Sequence, residues 1–202
     1  MNFKFFTIMA AMVMMAFASP AKAEAVVGEM APAFTGTDTN GVEHSLSDFK
    51  GKNVVLEWSN HECPFVVKHY ESGNMQKLQQ EATENGTIWL TIVSSADGKQ
   101  GNVSPDEANK IMEDAGAKPT ARILDTSGEI GKMYDAKTTP HMFVINKEGV
   151  LVYAGAIDSD SSFKQEAIPG ATNYVTEALA SIEAGKEVEV ASTKPYGCAV
   201  KY

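Results

Sequence analysis

The chain has 202 residues, of which 44% are hydrophobic, and its 26 acidic side chains outnumber its 17 lysines and arginines for a formal net charge of −9. This length and composition suit one globular domain with a sizeable core. The acidic excess disfavours nucleic acids and other polyanions as partners, and because the acidic residues are scattered we interpret them as a solvated surface.

The N-terminus has the pattern of a cleavable secretory signal peptide. Lys4 supplies a positive charge, residues 5–18 are apolar, and Ala21-Lys22-Ala23 is a small-residue cleavage sequence. The apolar stretch is shorter than the roughly 20 residues that span a bilayer. We therefore expect residues 1–23 to be removed and residues 24–202 to form a single periplasmic or secreted domain that makes no use of the membrane.

The first elements predicted in the mature chain are a β-hairpin, a buried strand and a long helix. Residues 34–49 indicate two short strands joined at the turn Thr39-Asn40-Gly41, and residues 54–59 are typical of a buried strand. Residues 64–82 predict a helix, although Gly73 weakens its middle.

A second buried strand follows at residues 88–93, and the strand-helix-strand spacing predicts a parallel pair. Ser104 and Pro105 then predict the start of a helix that continues to about residue 115. The rest of the chain predicts a short helix, an antiparallel hairpin, a closing helix and a coil tail. These four segments are residues 130–134, 141–153, 171–184 and 196–202.

Cys63 lies between the predicted strand and the first turn of the long helix, where Pro64 suits the first helical position. Unpaired backbone N-H groups and the positive end of the helix dipole favour a thiolate there. A free cysteine of pKa about 8.5 is only a few per cent ionised at neutral pH, whereas one lowered to roughly 6 is mostly ionised. We therefore expect Cys63 to be a nucleophile open to peroxides or disulfides, and the alternative is a buried structural thiol.

Cys198 is the other cysteine of the chain, and export would place both in a compartment where disulfides persist. From the residues alone, Cys198 is a structural staple, an unpaired tail thiol or a resolving partner of Cys63. The last role requires the tail to dock with the two Cα atoms within roughly 7 Å.

The order of elements, with a Thr-Pro before the hairpin, resembles the thioredoxin fold. More narrowly, the N-terminal hairpin, the long middle insertion, residues 138–145 and the Gly197-Cys198 tail are similar to a secreted branch of the peroxiredoxin-like redoxins of the alkyl hydroperoxide reductase and thiol-specific antioxidant group. The resemblance covers nearly the whole mature chain. It implies an α/β three-layer sandwich, with a mixed central sheet, helices on both faces and an N-terminal β-hairpin.

The resemblance also implies an active site. Cys63 matches the peroxidatic cysteine by position, Cys198 is a candidate for resolving the oxidised state, and Thr139-Pro140 is a cis peptide that lets the Thr139 backbone pair with substrate. A trans proline at an edge strand is the alternative that the residues alone leave open. The implied substrate is a peroxide or a disulfide, the implied partner is an external thiol reductant such as a thioredoxin-like protein, and no cofactor or metal is implied.

The sequence departs from dithiol thioredoxins and from peroxiredoxins at several site positions. Val66 stands where a dithiol thioredoxin has its second cysteine. Asn60 stands where peroxiredoxins have a threonine or serine, and Leu56 stands where they have a proline. Pro140 stands where peroxiredoxins have their active-site arginine. We accordingly expect an antioxidant thiol oxidoreductase that reduces peroxides or disulfides, with a thiol-disulfide reductase or isomerase without peroxidase activity as the alternative enzyme.

Several basic residues are candidates for assisting the thiol. Lys68, His61 and Arg122 are candidates for the missing positive charge, and His61 and His141 for proton transfer, whereas we expect His69 to be a surface histidine. A thiol with two histidines also allows a soft copper site, so a copper-binding or partner-binding module is the non-enzymatic alternative. A redox-inert domain with linked cysteines is a further one.

Overall fold

The computed structural model describes residues 24–202, and the predicted signal peptide lies outside the described residues. The strands are β1 Thr35–Thr37, β2 Glu43–Ser45, β3 Val54–Trp58, β4 Ile88–Val93, β5 Ala121–Leu124, β6 Thr138–Thr139, β7 His141–Ile145, β8 Leu151–Gly155 and β9 Cys198–Ala199. The helices are α1 Pro64–Glu71, α2 Asn74–Glu84, α3 Pro105–Asp114, α4 Glu129–Met133 and α5 Tyr174–Glu183, with 3-10 helices at Leu46–Phe49 and Gln165–Gly170.

The central sheet has five strands in the order β5-β4-β3-β7-β8. β3, β4 and β5 run parallel, as the helical connections between them require, whereas β7 pairs antiparallel with both β3 and β8. The predicted mixed α/β sheet is thus confirmed, and so are the β1-β2 hairpin and the β7-β8 hairpin. β3 and β4 are buried along their whole length, which explains why both are continuous apolar runs apart from a few polar residues.

Apolar side chains cover both faces of the sheet, so the molecule has the three predicted layers. On one face Trp58 packs against Tyr134 and Phe143, with ring centroids 5.4 and 5.1 Å apart, beneath α4 and the N-terminal hairpin. On the other face Trp89 and Met75 belong to a separate cluster beneath α1, α2 and α5.

The helix predicted over residues 64–82 is wrong in its middle, where the structure has two helices. α1 ends at Glu71, Gly73 adopts φ +75°, and α2 begins at Asn74. The Gln76 side chain donates to the Tyr70 carbonyl, which also accepts from the Gly73 N-H, at 2.8 Å and to the Ala115 carbonyl at 2.6 Å, and these contacts stabilise the break.

The tail is not the predicted coil. β9 pairs antiparallel with β6, with Cys198 opposite Thr139 and Ala199 opposite Thr138. Further along, Lys201 forms a parallel bridge with Ser95. Within residues 24–202, none of the helices has the length and hydrophobicity to cross a membrane.

Replacing Gly73 by alanine distinguishes a broken helix from a continuous one. Because an L-residue in the left-handed region costs about 1–2 kcal/mol, we expect Gly73→Ala to lower the free energy of unfolding by about 1 kcal/mol in urea denaturation. A continuous helix would instead gain stability, by about 0.5–1 kcal/mol. Gly170→Ala, at a glycine with ordinary φ and open space around it, is the control.

Candidate active site

Cys63 is the N-cap residue of α1, as the sequence predicts. β3 ends at Trp58, and the chain then turns so that the Cys63 N-H donates to the Asn60 carbonyl at 3.0 Å. The Asn60 side chain supports this turn by accepting from the Glu62 N-H at 3.0 Å. Pro64 occupies the first helical position, which leaves the Cys63 side chain at the end of the helix.

Thr139 and Pro140 lie beside the thiol and form the predicted cis peptide. The Cys63 Sγ atom is 3.0 Å from the Thr139 carbonyl oxygen, so a neutral thiol donates to that oxygen. β6 thus reaches the reactive end of α1.

The docked tail places Cys198 directly against Cys63, with the two Sγ atoms 2.7 Å apart. The pairing of Cys198 with Thr139 brings this about, because Thr139 also contacts the Cys63 sulfur. Cys63 is 0% exposed, whereas Cys198 is half-buried. The expectation that Cys63 is open to oxidants is therefore wrong for this state, since the tail covers it.

The environment separates the two thiols electrostatically. Burial raises the pKa of Cys63, but hydrogen bonding from Cys198, the Thr139 side chain and the Val66 N-H outweighs burial and holds that pKa below the ordinary value. Burial, together with the contact and the charge of Cys63, raises the pKa of Cys198 to about 11. Cys63 is thus the sulfur that ionises first, and Cys198 retains its proton.

Tyr196 anchors the tail to a buried polar cluster. Its hydroxyl donates to Asp158, and its ring lies 5.9 Å from that of Phe65. Asp158 is 3.8 Å from both Lys68 Nζ and His69 Nε2, so a buried carboxylate joins the tail to two basic residues of α1.

The end of the chain is held as well. The Tyr202 hydroxyl donates to the Ala136 carbonyl at 2.8 Å, and the Val200 N-H donates to the Lys137 carbonyl at 3.1 Å. Gly197 has φ +134°, and a Cβ atom there would overlap the Thr139 carbonyl oxygen. Only glycine at position 197 therefore allows this close approach.

The histidines lie in more buried surroundings than the sequence indicates. His69 is wrong as a surface residue, because it is 0% exposed, bonded to Asn74 at 2.8 Å, and burial lowers its pKa to about 3. His141 is also buried, accepts from the Lys137 N-H at 3.3 Å, and has its pKa lowered to about 4 by burial. His61 is half-buried, and burial followed by the charge of Arg122 lowers its pKa.

Lys68 and Arg122, two candidates for the missing positive charge, have other surroundings. Lys68 Nζ donates to the Asp160 carbonyl at 3.0 Å and is held in the tail-anchoring cluster, and Arg122 lines a cavity between α1 and α3. Across residues 24–202, no group of three or more histidine, cysteine or acidic side chains is placed to hold a metal ion, so the copper alternative has no ligand set there.

Glu57 is a buried carboxyl whose role the sequence did not indicate. It accepts hydrogen bonds from Tyr70, Gln79, Trp89 and Thr91 at about 3 Å, and burial raises its pKa despite them. The only signal was an acidic residue within an apolar strand. Its contacts make it a positioning residue that holds α1 and α2 against the sheet.

Solved structures define the class of fold. A hypothetical protein from Sinorhizobium meliloti 1021 has a TM-score of 0.74 at 21% identity, covering 89% of this chain and 96% of that one. An uncharacterized conserved protein from Geobacillus kaustophilus has a TM-score of 0.71 at 24% identity, covering 88% and 92%. The thioredoxin domain of a thiol-disulfide oxidoreductase from Bacteroides vulgatus has a TM-score of 0.52 at 22% identity, covering 73% and 98%. The protein therefore has a thioredoxin-like fold.

The particular family follows from the sequence. The model of the Redoxin family matches residues 26–168, and the chain belongs to that family. It is also similar to the thiol-disulfide oxidoreductase ResA of Geobacillus kaustophilus, at 28% identity over 58% of this chain and 74% of that protein. The ResA of Bacillus subtilis is 27% identical over 62% of this chain and 64% of that protein. These likenesses favour the thiol-disulfide alternative over the peroxidase interpretation.

Substitution of Gly197 tests whether the docked tail covers Cys63. In a Cys198→Ser background, which leaves Cys63 as the one thiol, we expect Gly197→Ala to undock β9 and to speed alkylation of Cys63 by iodoacetamide at least about tenfold. Gly185→Ala is the matched control, because Gly185 also has a positive φ but open space around it. Equal alkylation rates in the Gly197 and Gly185 variants would contradict tail coverage.

The buried histidines predict a dependence of stability on pH. His69 and His141 remain neutral in the folded protein, whereas the unfolded chain takes up protons below about pH 6.5. The free energy of unfolding should therefore fall as the pH decreases from 6.5 to 5, by up to about 1.4 kcal/mol per pH unit for each histidine. Denaturation across this range should show a shallower slope for His69→Gln, and a slope identical to wild type would count against burial of a neutral His69.

Proposed function

We propose that the protein is an exported thiol-disulfide oxidoreductase in which Cys63 is the nucleophile and Cys198 resolves the mixed disulfide. The main support is the contact between the two sulfurs, which lie 2.7 Å apart beside Thr139. The pKa of Cys63 is lowered and the pKa of Cys198 is raised, so the two thiols differ in reactivity. The Redoxin family match and the likeness to ResA proteins support it. The signal-peptide pattern of residues 1–23 supports export.

The chemistry needs two exchanges. The Cys63 thiolate attacks one sulfur of a substrate disulfide, the substrate S-S bond breaks, and the leaving thiolate takes a proton from water. Cys198 then loses its proton and attacks the Cys63 sulfur, which forms the Cys63-Cys198 disulfide and releases the second substrate thiol. An external dithiol, such as that of a thioredoxin-like protein, returns two electrons and restores both thiols.

The docked tail stands where a substrate segment would pair. β9 lies antiparallel to β6 and presents a cysteine opposite Thr139, which is the arrangement expected for a polypeptide whose sulfur reacts with Cys63. A disulfide-bearing polypeptide must therefore displace the tail before reaction, and the tail returns to resolve the intermediate. Pro140 supports this role by placing the Thr139 carbonyl beside the thiol.

The lowered pKa of Cys63 and the adjacent Cys198 sulfur also support a second candidate, the reduction of small peroxides. Because Cys63 is 0% exposed beneath the docked tail, a peroxide also reaches the sulfur only after the tail opens. The Cys63 thiolate would take one oxygen to form a sulfenic acid and release hydroxide or alkoxide, and Cys198 would condense with it to form the disulfide and water.

The two cysteine variants should fail at different steps. We expect Cys63→Ser to lower turnover of a disulfide substrate by at least about 10³-fold, because a serine hydroxyl is not ionised at neutral pH. Cys198→Ser should complete the first exchange and then accumulate the mixed disulfide on Cys63, which intact-mass spectrometry detects. Ala199→Ser is the control for a change in β9. Turnover that survives in Cys63→Ser, or a Cys198→Ser variant without trapped adduct, would overturn the proposal.

A further inference from the structure

A cavity of about 230 Å³ lies between α1 and α3. Most of its wall is apolar, from Val67 on α1 and from Ile111, Met112 and Ala115 on α3. Its polar wall comes from β5 and from the loop that precedes Cys63. The thiol chemistry proposed above makes no use of this cavity.

Arg122 contributes the main polar group of the cavity. Its side chain shares a sheet face with Glu57 and Thr91, because Glu57 pairs with Thr91 and Thr91 pairs with Arg122 across three parallel strands. The residue is 5% exposed, and its Nε and Nη2 atoms are buried without a hydrogen-bond partner within residues 24–202. Glu57 is not its counter-ion by contact, since the Glu57 oxygens accept from Tyr70, Gln79, Trp89 and Thr91.

A guanidinium in this position is costly to the ligand-free protein. Buried charges in proteins are normally paired or hydrogen-bonded, because removing an ion from water costs several kcal/mol. His61, which also lines the cavity, has a buried Nδ1 atom without a partner in the described part of the chain. Arg122 and His61 thus line one mostly apolar cavity, and each carries a buried polar atom without a partner, which is the pattern of a binding pocket without its ligand.

We propose that this cavity binds a small amphipathic monocarboxylate, with its carboxylate on Arg122 and its hydrocarbon between α1 and α3. The planar guanidinium matches a carboxylate through two parallel hydrogen bonds. The apolar wall favours a hydrocarbon body, and the volume lies below the roughly 300–1,000 Å³ of pockets for drug-sized ligands, so the body is small.

A single negative charge fits better than two. One guanidinium neutralises a monocarboxylate, whereas a phosphate dianion would leave one charge uncompensated in an apolar wall. Glu71 also lines the cavity and is exposed, which adds repulsion against a second negative charge. The site therefore selects an aliphatic carboxylate over inorganic phosphate.

The ligand would contact both sides of the loop that carries Cys63. Ser59 and His61 precede Cys63 and line the cavity, and Val66 and Val67 follow it and line the cavity as well. Occupation would therefore restrain this loop directly.

Calorimetric titration of the full mature chain with hexanoate tests the proposal. The Cys63→Ser variant is titrated too, so that the outcome is independent of thiol chemistry. Hexanoate should bind at least about tenfold more tightly than hexan-1-ol, which has the same chain without the charge, and more tightly than inorganic phosphate. Arg122→Gln should remove that preference, and Ile111→Trp should block binding by filling the cavity while retaining Arg122. Lys118→Gln, which removes an exposed charge near the cavity, is the matched control.

Stability of the ligand-free protein gives a second readout. Arg122→Met replaces the unpartnered cation with an apolar side chain of similar length, so we expect the melting temperature to rise by roughly 2–4 °C while hexanoate binding is lost. Equal affinity for hexanoate and hexan-1-ol, unchanged binding in Arg122→Gln, tighter binding of phosphate, or no binding at millimolar hexanoate would each overturn the proposal.

Discussion

The pairing of β9 with β6 is the contact on which the geometry of the site depends. A two-residue strand pair has little stability by itself, so its position relies on neighbouring anchors. Tyr196 provides one before the pair through Asp158, and Tyr202 provides one after it through the Ala136 carbonyl. Between these anchors, Cys198 is held at Cys63 although 135 positions separate them along the chain. The anchors convert a distant thiol into a neighbour with a high effective concentration, which is what resolution of a mixed disulfide requires.

The pairing of β9 with β6 lowers the pKa of Cys63 but also covers its sulfur. While the tail is docked, Cys198 and Thr139 stabilise the Cys63 thiolate, but the sulfur is fully buried. Undocking removes the Cys198 hydrogen bond, and it also removes part of the burial that raises the pKa of Cys63. These two changes have opposite signs, so the released thiol can remain acidic while it becomes accessible. The helix N-terminus of α1 supplies a further stabilisation that does not involve the tail.

Sequence patterns predicted the elements that depend on local signals. The sheet strands, the Ser104 cap and the position of Cys63 follow from runs of apolar residues and from capping chemistry, and all three are present. The cis peptide at Thr139-Pro140 followed from family resemblance, since the residues alone allowed either isomer. The docking of the tail and the burial of His69 depend instead on partners far away in sequence, such as Asp158, which no local pattern reports. Gly73 indicated a weak point in the predicted helix but not a break, because the Gln76 contacts that stabilise the break are visible only in three dimensions.

The buried polar groups beneath α1 explain why Cys63 is positioned so firmly. Three consecutive residues of α1 contact two buried carboxylates: Lys68 and His69 each lie 3.8 Å from Asp158, and Tyr70 donates to Glu57. A helix attached only by apolar contacts could slide or rotate by a fraction of a turn at little cost, whereas each of these polar contacts would be broken by such a shift and would leave a buried group unsatisfied. The network therefore fixes the rotation and the axial position of α1, and with them the place of the sulfur at its first turn. Since Asp158 also receives the Tyr196 hydroxyl, the helix that carries the nucleophile and the tail that carries its partner are aligned by one carboxylate.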